Sequence, residues 1–175
     1  MDDTRGISLL LITGTMGAGK SAVMAEASDL LAMRHVEHAA IEVDALGLAF
    51  LSSHKNDDAM HANLECVCRN YARLGVRLFV LARAVESRAE LERCREATSA
   101  EHVAICRLTA GMATLQQRVK LREPGILQAE FVARVETLNA ILDRAGLEDF
   151  AVVNEDRAVT EVAREMLIRT GWLSK

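Results

Sequence analysis

The chain has 175 residues, 50% of them hydrophobic, and a formal charge of −4, which suits one substantial core and is too little for two. The acidic balance and an aromatic content of 3% argue against nucleic-acid binding, which needs basic surface and stacking platforms. No apolar run reaches membrane-spanning length and Met1–Arg5 lacks an export signal, so we expect a single cytoplasmic domain, residues 1–175, without membrane contact.

The first element is an apolar strand, Ser8–Thr13, that leads into a glycine-rich loop and a helix. The loop matches the phosphate-loop pattern G-x-x-x-x-G-K-[ST]. In such a loop the backbone N–H groups and the helix N-terminus attract a phosphate, the lysine adds a mobile charge, and the final hydroxyl can bind Mg²⁺. A purely structural turn has no reason to place Lys-Ser after its last glycine. The predicted nucleotide-binding residues are Gly14, Thr15, Met16, Gly17, Ala18, Gly19, Lys20 and Ser21, with Ser21 also the metal ligand.

The next segments predict a helix from Lys20 to about Arg34 and a second strand, Ala39–Val43, that ends at Asp44. We expect this strand to lie next to the first one, which places the Asp44 carboxylate at the same sheet edge as the phosphate loop. The stretch from Asp44 to Asp58 predicts a loop. Asp44 could instead cap the turn that follows it, a common use of aspartate at a strand end.

The middle of the chain predicts a helix at about 58–74, a third strand, Val76–Ala82, with almost no polar interruption, and a charged helix at 87–98. Such a nearly continuous apolar strand is typical of the interior of a parallel sheet, where helices cover both faces. Ser87 and Glu90 fit a capping box at the start of the charged helix.

Polar residues on the second helix could meet a polar acceptor, although such residues are more often solvated. Asn63 and Asn70 lie seven positions apart on one helix face, and His54 and His61 flank the same region. A lone histidine in a loop or at a helix start is usually exposed.

A helical hairpin is predicted at 109–146, where Pro124-Gly125 separates two helices and Thr109 could cap the first. Its basic first helix and central break suit a hinged lid. Arg118 and Arg122 share one face of that helix, as ordinary surface arginines four positions apart also would.

Two further strands, Val103–Leu108 and Phe150–Val153, and a last helix from Val159 complete the pattern. Strands alternate with helices throughout the chain. This alternation predicts an α/β fold in which one five-stranded parallel sheet carries helices on both faces and binds its ligand at the carboxyl ends of the strands.

A phosphate loop alone leaves open what happens to the γ-phosphoryl group. P-loop proteins that act as switches or motors carry an acid at the end of a further strand to help hold Mg²⁺. Here the third strand ends in Ala82-Arg83. Glu86 could take that role, but it is more simply interpreted as a solvated charge in a loop.

Three features together resemble the small P-loop kinases of metabolites and nucleotides, closest to the chloramphenicol phosphotransferase and adenylylsulfate kinase branch. They are the stretch Leu10–Ser21, the Val-Asp-Ala-Leu sequence around Asp44, and the spaced arginines Arg118 and Arg122. The resemblance implies that ATP and Mg²⁺ are bound and that the γ-phosphoryl group moves to a hydroxyl of a small molecule.

The same resemblance implies a role for each site residue. Asp44 would contact or deprotonate the acceptor, and Arg118 and Arg122 would act with Lys20 on the transferred phosphate. The loop after the last strand, which includes Asn154 and Arg157, would border the adenine. The acceptor region, 47–70, departs from the group and holds no diagnostic motif, so the identity of the acceptor stays open.

Two alternatives share the predicted fold or loop. A nucleotide kinase would need a nucleobase pocket for its acceptor. A regulatory nucleotide-binding protein with weak ATPase activity would use the loop as a switch, and the absence of an acid after the third strand argues against it. ATP or GTP preference, and a monomeric or homodimeric state, are left open by the sequence.

Overall fold

The computed structural model describes residues 6–52 and 55–174, so Met1–Arg5 and His54 lie outside the described residues. Within these ranges the strands are β1 (Ser8–Thr13), β2 (Ala39–Glu42), β3 (Leu78–Ala82), β4 (His102–Thr109) and β5 (Phe150–Val153). The helices are α1 (Lys20–Ala32), α2 (Asn56–Arg73), α3 (Arg88–Thr98), α4 (Met112–Arg122), α5 (Gln128–Ala145) and α6 (Val159–Arg169). The predicted alternation is confirmed. No helix in this part of the chain has the length and hydropathy needed to cross a membrane.

The strands form one parallel sheet in the order β2-β3-β1-β4-β5. The expectation that β2 lies next to β1 is wrong, because β3 lies between them. The composition of the two strands explains the order. Residues 79–82 of β3 are all buried, which requires a neighbour on each side, whereas β2 has only four residues and ends in the charged Glu42, which suits an edge strand.

Apolar side chains cover both faces of the sheet. Successive residues of a strand point to opposite faces, so Leu10 and Ile12 pack in the core that contains α1 and α6, while Leu9 and Leu11 pack in the core that contains α2 and α3. The central strand β1 is thereby fixed on both sides. The loop that follows it starts from a rigid position.

The predicted helical hairpin is present as α4 and α5. The expectation that Thr109 caps its first helix is wrong, because Thr109 is the last residue of β4 and α4 begins after Gly111. Glu155, from the loop after β5, supplies the missing acceptor: its carboxylate accepts hydrogen bonds from the Gly111 N–H (2.9 Å) and the Thr114 hydroxyl. The start of α4 is therefore tied to the β5–α6 loop.

Two local expectations need adjustment. The stretch after β2, predicted as a loop, opens with a 3₁₀ turn at Asp44–Gly47. Ser87 does cap α3, since its hydroxyl accepts from the Glu90 N–H at 3.3 Å. The Glu90 carboxylate, however, accepts from the N–H of Glu86 at 2.6 Å, one residue before the position that a capping box uses.

Candidate functional site

The phosphate loop occupies the turn between β1 and α1, at the carboxyl edge of the sheet. Gly17 and Gly19 have φ values of 80° and 89°, a conformation that residues with a side chain rarely adopt. A Cβ on Gly17 would lie 2.5 Å from the Leu115 carbonyl oxygen, and one on Gly19 would lie 2.3 Å from the Asn154 side-chain nitrogen. The glycines of the motif are therefore required by backbone conformation and by close packing on α4 and the β5–α6 loop.

Two buried hydrogen bonds tie this loop to α5 and to the β5–α6 loop. The Thr15 hydroxyl donates to the backbone carbonyl of Val135 on α5 at 2.9 Å. The side-chain amide of Asn154 donates to the carbonyl of Ala18 at 2.8 Å. Because both bonds are shielded from water, they fix the loop backbone before any phosphate arrives.

Lys20, the first residue of α1, lies folded against the loop. Its ammonium group donates to the carbonyls of Gly14 (2.9 Å) and Thr15 (3.2 Å). Burial lowers the pKa of Lys20 from its ordinary value, and the nearby carboxylates of Asp44 and Glu42 oppose that shift. A largely desolvated cation at a helix N-terminus is a strong partner for phosphate oxygens.

Asp44 lies at the same edge, as predicted, although a strand separates β2 from β1. Its carboxylate is 61% exposed and accepts a hydrogen bond from Arg83 at 2.7 Å. Its charge acts on Lys20, so the two groups belong to one electrostatic site. Arg83 was not identified as a site residue from the sequence. It follows β3 directly, and β3 lies between β2, which leads to Asp44, and β1, which leads to the phosphate loop.

Glu42 is a second residue that the sequence analysis missed. It is the last residue of β2, and its Oε2 atom is buried without a hydrogen-bond partner among the described residues. A buried unpaired carboxylate oxygen is costly, and a bound cation or its water would satisfy it. The signal was a charged residue inside an otherwise apolar strand, two positions before Asp44.

The two hairpin arginines differ in their surroundings. Arg118 is half-buried and donates to the carbonyls of Asn154 (2.9 Å) and Gly17 (3.4 Å), so it borders the phosphate loop. Arg122, one turn later, is 58% exposed and pairs with Glu123 at 2.8 Å. It is nevertheless close enough to Lys20 for its charge to lower the Lys20 pKa. Both arginines therefore lie near the phosphate loop, and their action on a bound phosphate stays a prediction.

Residues of the β5–α6 loop lie beside the phosphate loop. Asn154 is 8% exposed, and its amide is engaged with Ala18 as described above. Arg157 donates to the Val153 carbonyl at 3.2 Å and pairs with Glu165 of α6 at 2.7 Å. The predicted contact of Asn154 and Arg157 with an adenine stays a prediction; the observed contacts give Asn154 a role in shaping the loop.

The polar residues predicted on the acceptor side are dispersed. Asn63 is exposed and donates to the Leu46 carbonyl at 2.9 Å, which secures the 3₁₀ turn, and Asn70 is exposed. His61 is 6% exposed, in contrast to the solvated histidine expected, and its Nδ1 lies 2.9 Å from the Asp57 carbonyl. The helix face that carries these residues does not form one site.

Glu86, predicted as a solvated loop charge, is only partly exposed. Its carboxylate pairs with Arg134 of α5 at 2.8 Å. This contact joins the loop after β3 to the hairpin.

A magnesium ion fits the residues present. In the described ranges no three His, Cys, Asp or Glu side chains cluster as a metal site. Mg²⁺, however, usually keeps several waters and takes one or two protein ligands together with substrate phosphates. The Ser21 hydroxyl in the first turn of α1 and the unpaired Glu42 oxygen are donors of the kind that it prefers.

No protein-family profile and no curated protein matches the sequence. Solved structures match over nearly the whole chain. A gluconokinase from Sinorhizobium meliloti 1021 is 19% identical over 96% of this chain and 94% of that chain, with a TM-score of 0.61. A shikimate kinase from Acinetobacter baumannii is 16% identical (97% and 96%; TM-score 0.62), and an APS kinase from Mycobacterium tuberculosis is 21% identical (95% and 98%; TM-score 0.61). The predicted fold class is confirmed, and the predicted resemblance to small P-loop kinases holds at the level of the fold.

Proposed function

We propose that this chain is an ATP- and Mg²⁺-dependent kinase that transfers the γ-phosphoryl group of ATP to a hydroxyl of a small molecule. One observation carries the proposal: the desolvated Lys20 of the phosphate loop and the exposed Asp44 carboxylate share one edge of the sheet, where each lies in the field of the other. A phosphate-binding cation and an acid that can meet a hydroxyl are the two groups that such a transfer needs.

The residues around the loop suit phosphoryl transfer. The transition state is loose and spreads negative charge over the oxygens of the moving group, so catalysis depends on positioning and on fixed positive charge. Lys20 and Arg118, which contact the loop carbonyls of Gly14 and Gly17, would supply that charge. Arg122, on the same helix face as Arg118, would join them when the nucleotide is bound.

Asp44 would align the acceptor. In a loose transition state the nucleophile loses its proton late, so orientation of the hydroxyl matters more than the strength of the base. One oxygen of Asp44 is held by Arg83, and the exposed carboxylate leaves the other open to a hydroxyl.

A bound Mg²⁺ would supply positive charge that offsets the negative charge developing on the transferred phosphoryl group. Ser21 and Glu42 are the residues that would hold it, directly or through its water.

The identity of the residue after β3 favours a transferase over a regulatory switch. That position holds Arg83, whose guanidinium is a cation with no acceptor atom, so it cannot serve Mg²⁺. The kinases among the structural neighbours support the same choice.

A transfer assay tests the proposal. Purified protein is incubated with Mg²⁺ and ATP labelled in the γ-phosphate, with pools of hydroxyl-bearing metabolites and of nucleotides offered separately. A labelled organic phosphate in the metabolite pool supports the proposal. A labelled nucleotide alone would make the chain a nucleotide kinase, and release of free phosphate alone would indicate a weak ATPase.

A further inference from the structure

Arg83 and Asp44 follow the ends of two neighbouring strands. Glu42 of β2 pairs with Ala82 of β3, so the two side chains leave the sheet at almost the same level. The Arg83 guanidinium reaches Asp44 at 2.7 Å while its own side chain is only 11% exposed. An exposed carboxylate is thus held by the guanidinium of a largely buried arginine.

The guanidinium of Arg83 is fixed by two helices as well. Its Nη2 donates to Asp57 of α2 (3.0 Å) and to Glu90 of α3 (3.5 Å). Its Nη1, besides Asp44, meets the sulfur of Met60 at 2.9 Å. Charge-assisted hydrogen bonds of this kind are strong and directional, so Arg83 cannot swing away without breaking contacts to both helices.

None of the N–H donors of Arg83 is available to an incoming anion. An arginine has five N–H donors, and the four on its Nη atoms are directed to the three carboxylates and the sulfur. The fifth, on Nε, is buried without a partner in the described residues, where solvent and ligands do not reach it. An anion-binding role for Arg83 is therefore disfavoured by geometry.

Asp44, by contrast, depends on Arg83 for its orientation. Among the described residues, Arg83 is the only side chain that gives Asp44 a hydrogen bond, and an aspartate that is 61% exposed would otherwise rotate freely about its side-chain bonds. The bond occupies Oδ1 and leaves Oδ2 for a hydroxyl.

We infer that Arg83 is a positioning residue for phosphoryl transfer: it holds Asp44 in the orientation that aligns the acceptor, and it links that orientation to α2 and α3 through Asp57 and Glu90. The inference rests on the proposed kinase function. Loss of alignment at a reacting group lowers the rate by about 10²-fold, so the expected effect is on the transfer step and leaves nucleotide binding unchanged.

The test compares Arg83→Met, Arg83→Lys and the control Arg95→Met, which removes an exposed arginine whose ion-pair partner among residues 6–52 and 55–174 is Glu92 of its own helix. Single-turnover transfer to the acceptor found in the assay above should fall about 10²-fold in Arg83→Met, with the Kd for ATP–Mg²⁺ unchanged. Arg83→Lys should recover part of the rate, because a lysine keeps the charge but not the fork of donors. Arg95→Met should match the wild type.

A double-mutant cycle with Asp44→Asn separates positioning from direct contact. If Arg83 acts through Asp44, Arg83→Met adds no further loss to Asp44→Asn. If the two substitutions lower the transfer rate independently, so that their fold-losses multiply in the double variant, the inference is overturned. A raised KM for the acceptor with an unchanged transfer rate would also overturn it, because Arg83 would then be an acceptor-binding residue.

A structural readout keeps the inference testable without any acceptor. In a crystal structure of Arg83→Met, the Asp44 side chain should adopt a different orientation or several orientations. If Arg83→Met fails to fold, the same change is expected in Asp57→Asn. An unmoved carboxylate would overturn the inference. If no acceptor is ever phosphorylated while Asp44 does move, the proposed function fails and the structural role of Arg83 stands.

Discussion

The Thr15 hydroxyl of the phosphate loop donates a hydrogen bond of 2.9 Å to the backbone carbonyl of Val135, 120 residues later on α5. The bond is buried, and Val135, Leu138 and Leu142 of the same helix are buried with it. The body of the proposed lid is thus packed on the loop that it would cover. At the tip of the hairpin even large apolar side chains are exposed, since Leu121 and Ile126 are 77% and 100% exposed.

The first prediction concerns movement of this hairpin. We expect an ATP analogue with Mg²⁺ to slow amide hydrogen exchange at residues 121–128 by at least about tenfold, because loosely packed segments open most easily and gain most from ligand contacts. Exchange from Val135 to Leu142 should stay unchanged, since that segment is already protected. Exchange measured by mass spectrometry checks this. Slowed exchange along the whole of α5 would instead indicate a flap that hinges as one body.

The second prediction is that Lys20→Met separates stability from activity. Transfer should fall by at least about 10²-fold, since a fixed charge on the moving phosphate is lost. The free variant should nevertheless melt at a higher temperature than the wild type near pH 7, because burial lowers the pKa of Lys20 and the charged form is disfavoured by folding.

The pH dependence of that difference has a definite sign. Between the lowered pKa of folded Lys20 and its ordinary value of 10.5, the unfolded wild type binds more protons than the folded one. Wild-type stability therefore rises with pH in this window relative to Lys20→Met, and the gap narrows toward pH 10.5. Thermal melts of both proteins from pH 7 to 10.5 test this. A gap that widens would contradict the assigned cause.

The third prediction concerns Asn154. Asn154→Ala removes the donor to the Ala18 carbonyl and leaves a buried acceptor unpaired, which should lower the free energy of unfolding by about 1–3 kcal/mol. Because the amide shapes the phosphate loop, affinities for ATP and GTP should fall by the same factor. Calorimetric titration with both nucleotides checks this. Loss of affinity for only one of them would place Asn154 beside the base.

The fourth prediction is that Asp44→Asn leaves the affinity for ATP–Mg²⁺ nearly constant while transfer falls roughly 10²- to 10⁴-fold, the usual range for a positioned acid–base group. Asp58→Asn is the matched control, since Asp58 is an acid at the start of the neighbouring helix α2, 70% exposed and paired with Arg93. Surface pairs of that kind contribute little. If Asp44→Asn loses ATP–Mg²⁺ binding and the chemical step is little changed, Asp44 is a metal-site residue.

The alternation of strands and helices and the phosphate loop could be predicted because each depends on neighbours in sequence. Apolar runs such as Leu78–Ala82 and the Gly-Lys-Ser ending of the loop carry their own physical meaning. The order of the strands could not be predicted in this way. It depends on which strand can be buried on both sides, and the clue, a short β2 that ends in Glu42, is informative only in comparison with the fully apolar β3.

The contacts that position the site residues could not be predicted from the sequence, for a related reason. An arginine after a strand has no preferred partner until the fold brings Asp44, Asp57 and Glu90 around it. The bond from Thr15 to Val135 likewise spans 120 residues. The pairing of these side chains depends on tertiary packing, which no local pattern in the sequence reports.

The central claim is that the γ-phosphoryl group moves to a small-molecule hydroxyl, and mass-spectrometric detection of labelled product from γ-¹⁸O-labelled ATP tests it most directly. The wild type should form an organic phosphate ester that carries the label, only with Mg²⁺, and Lys20→Met should form almost none. A wild type that binds ATP and releases labelled inorganic phosphate, with no labelled ester from any pool, would contradict the claim.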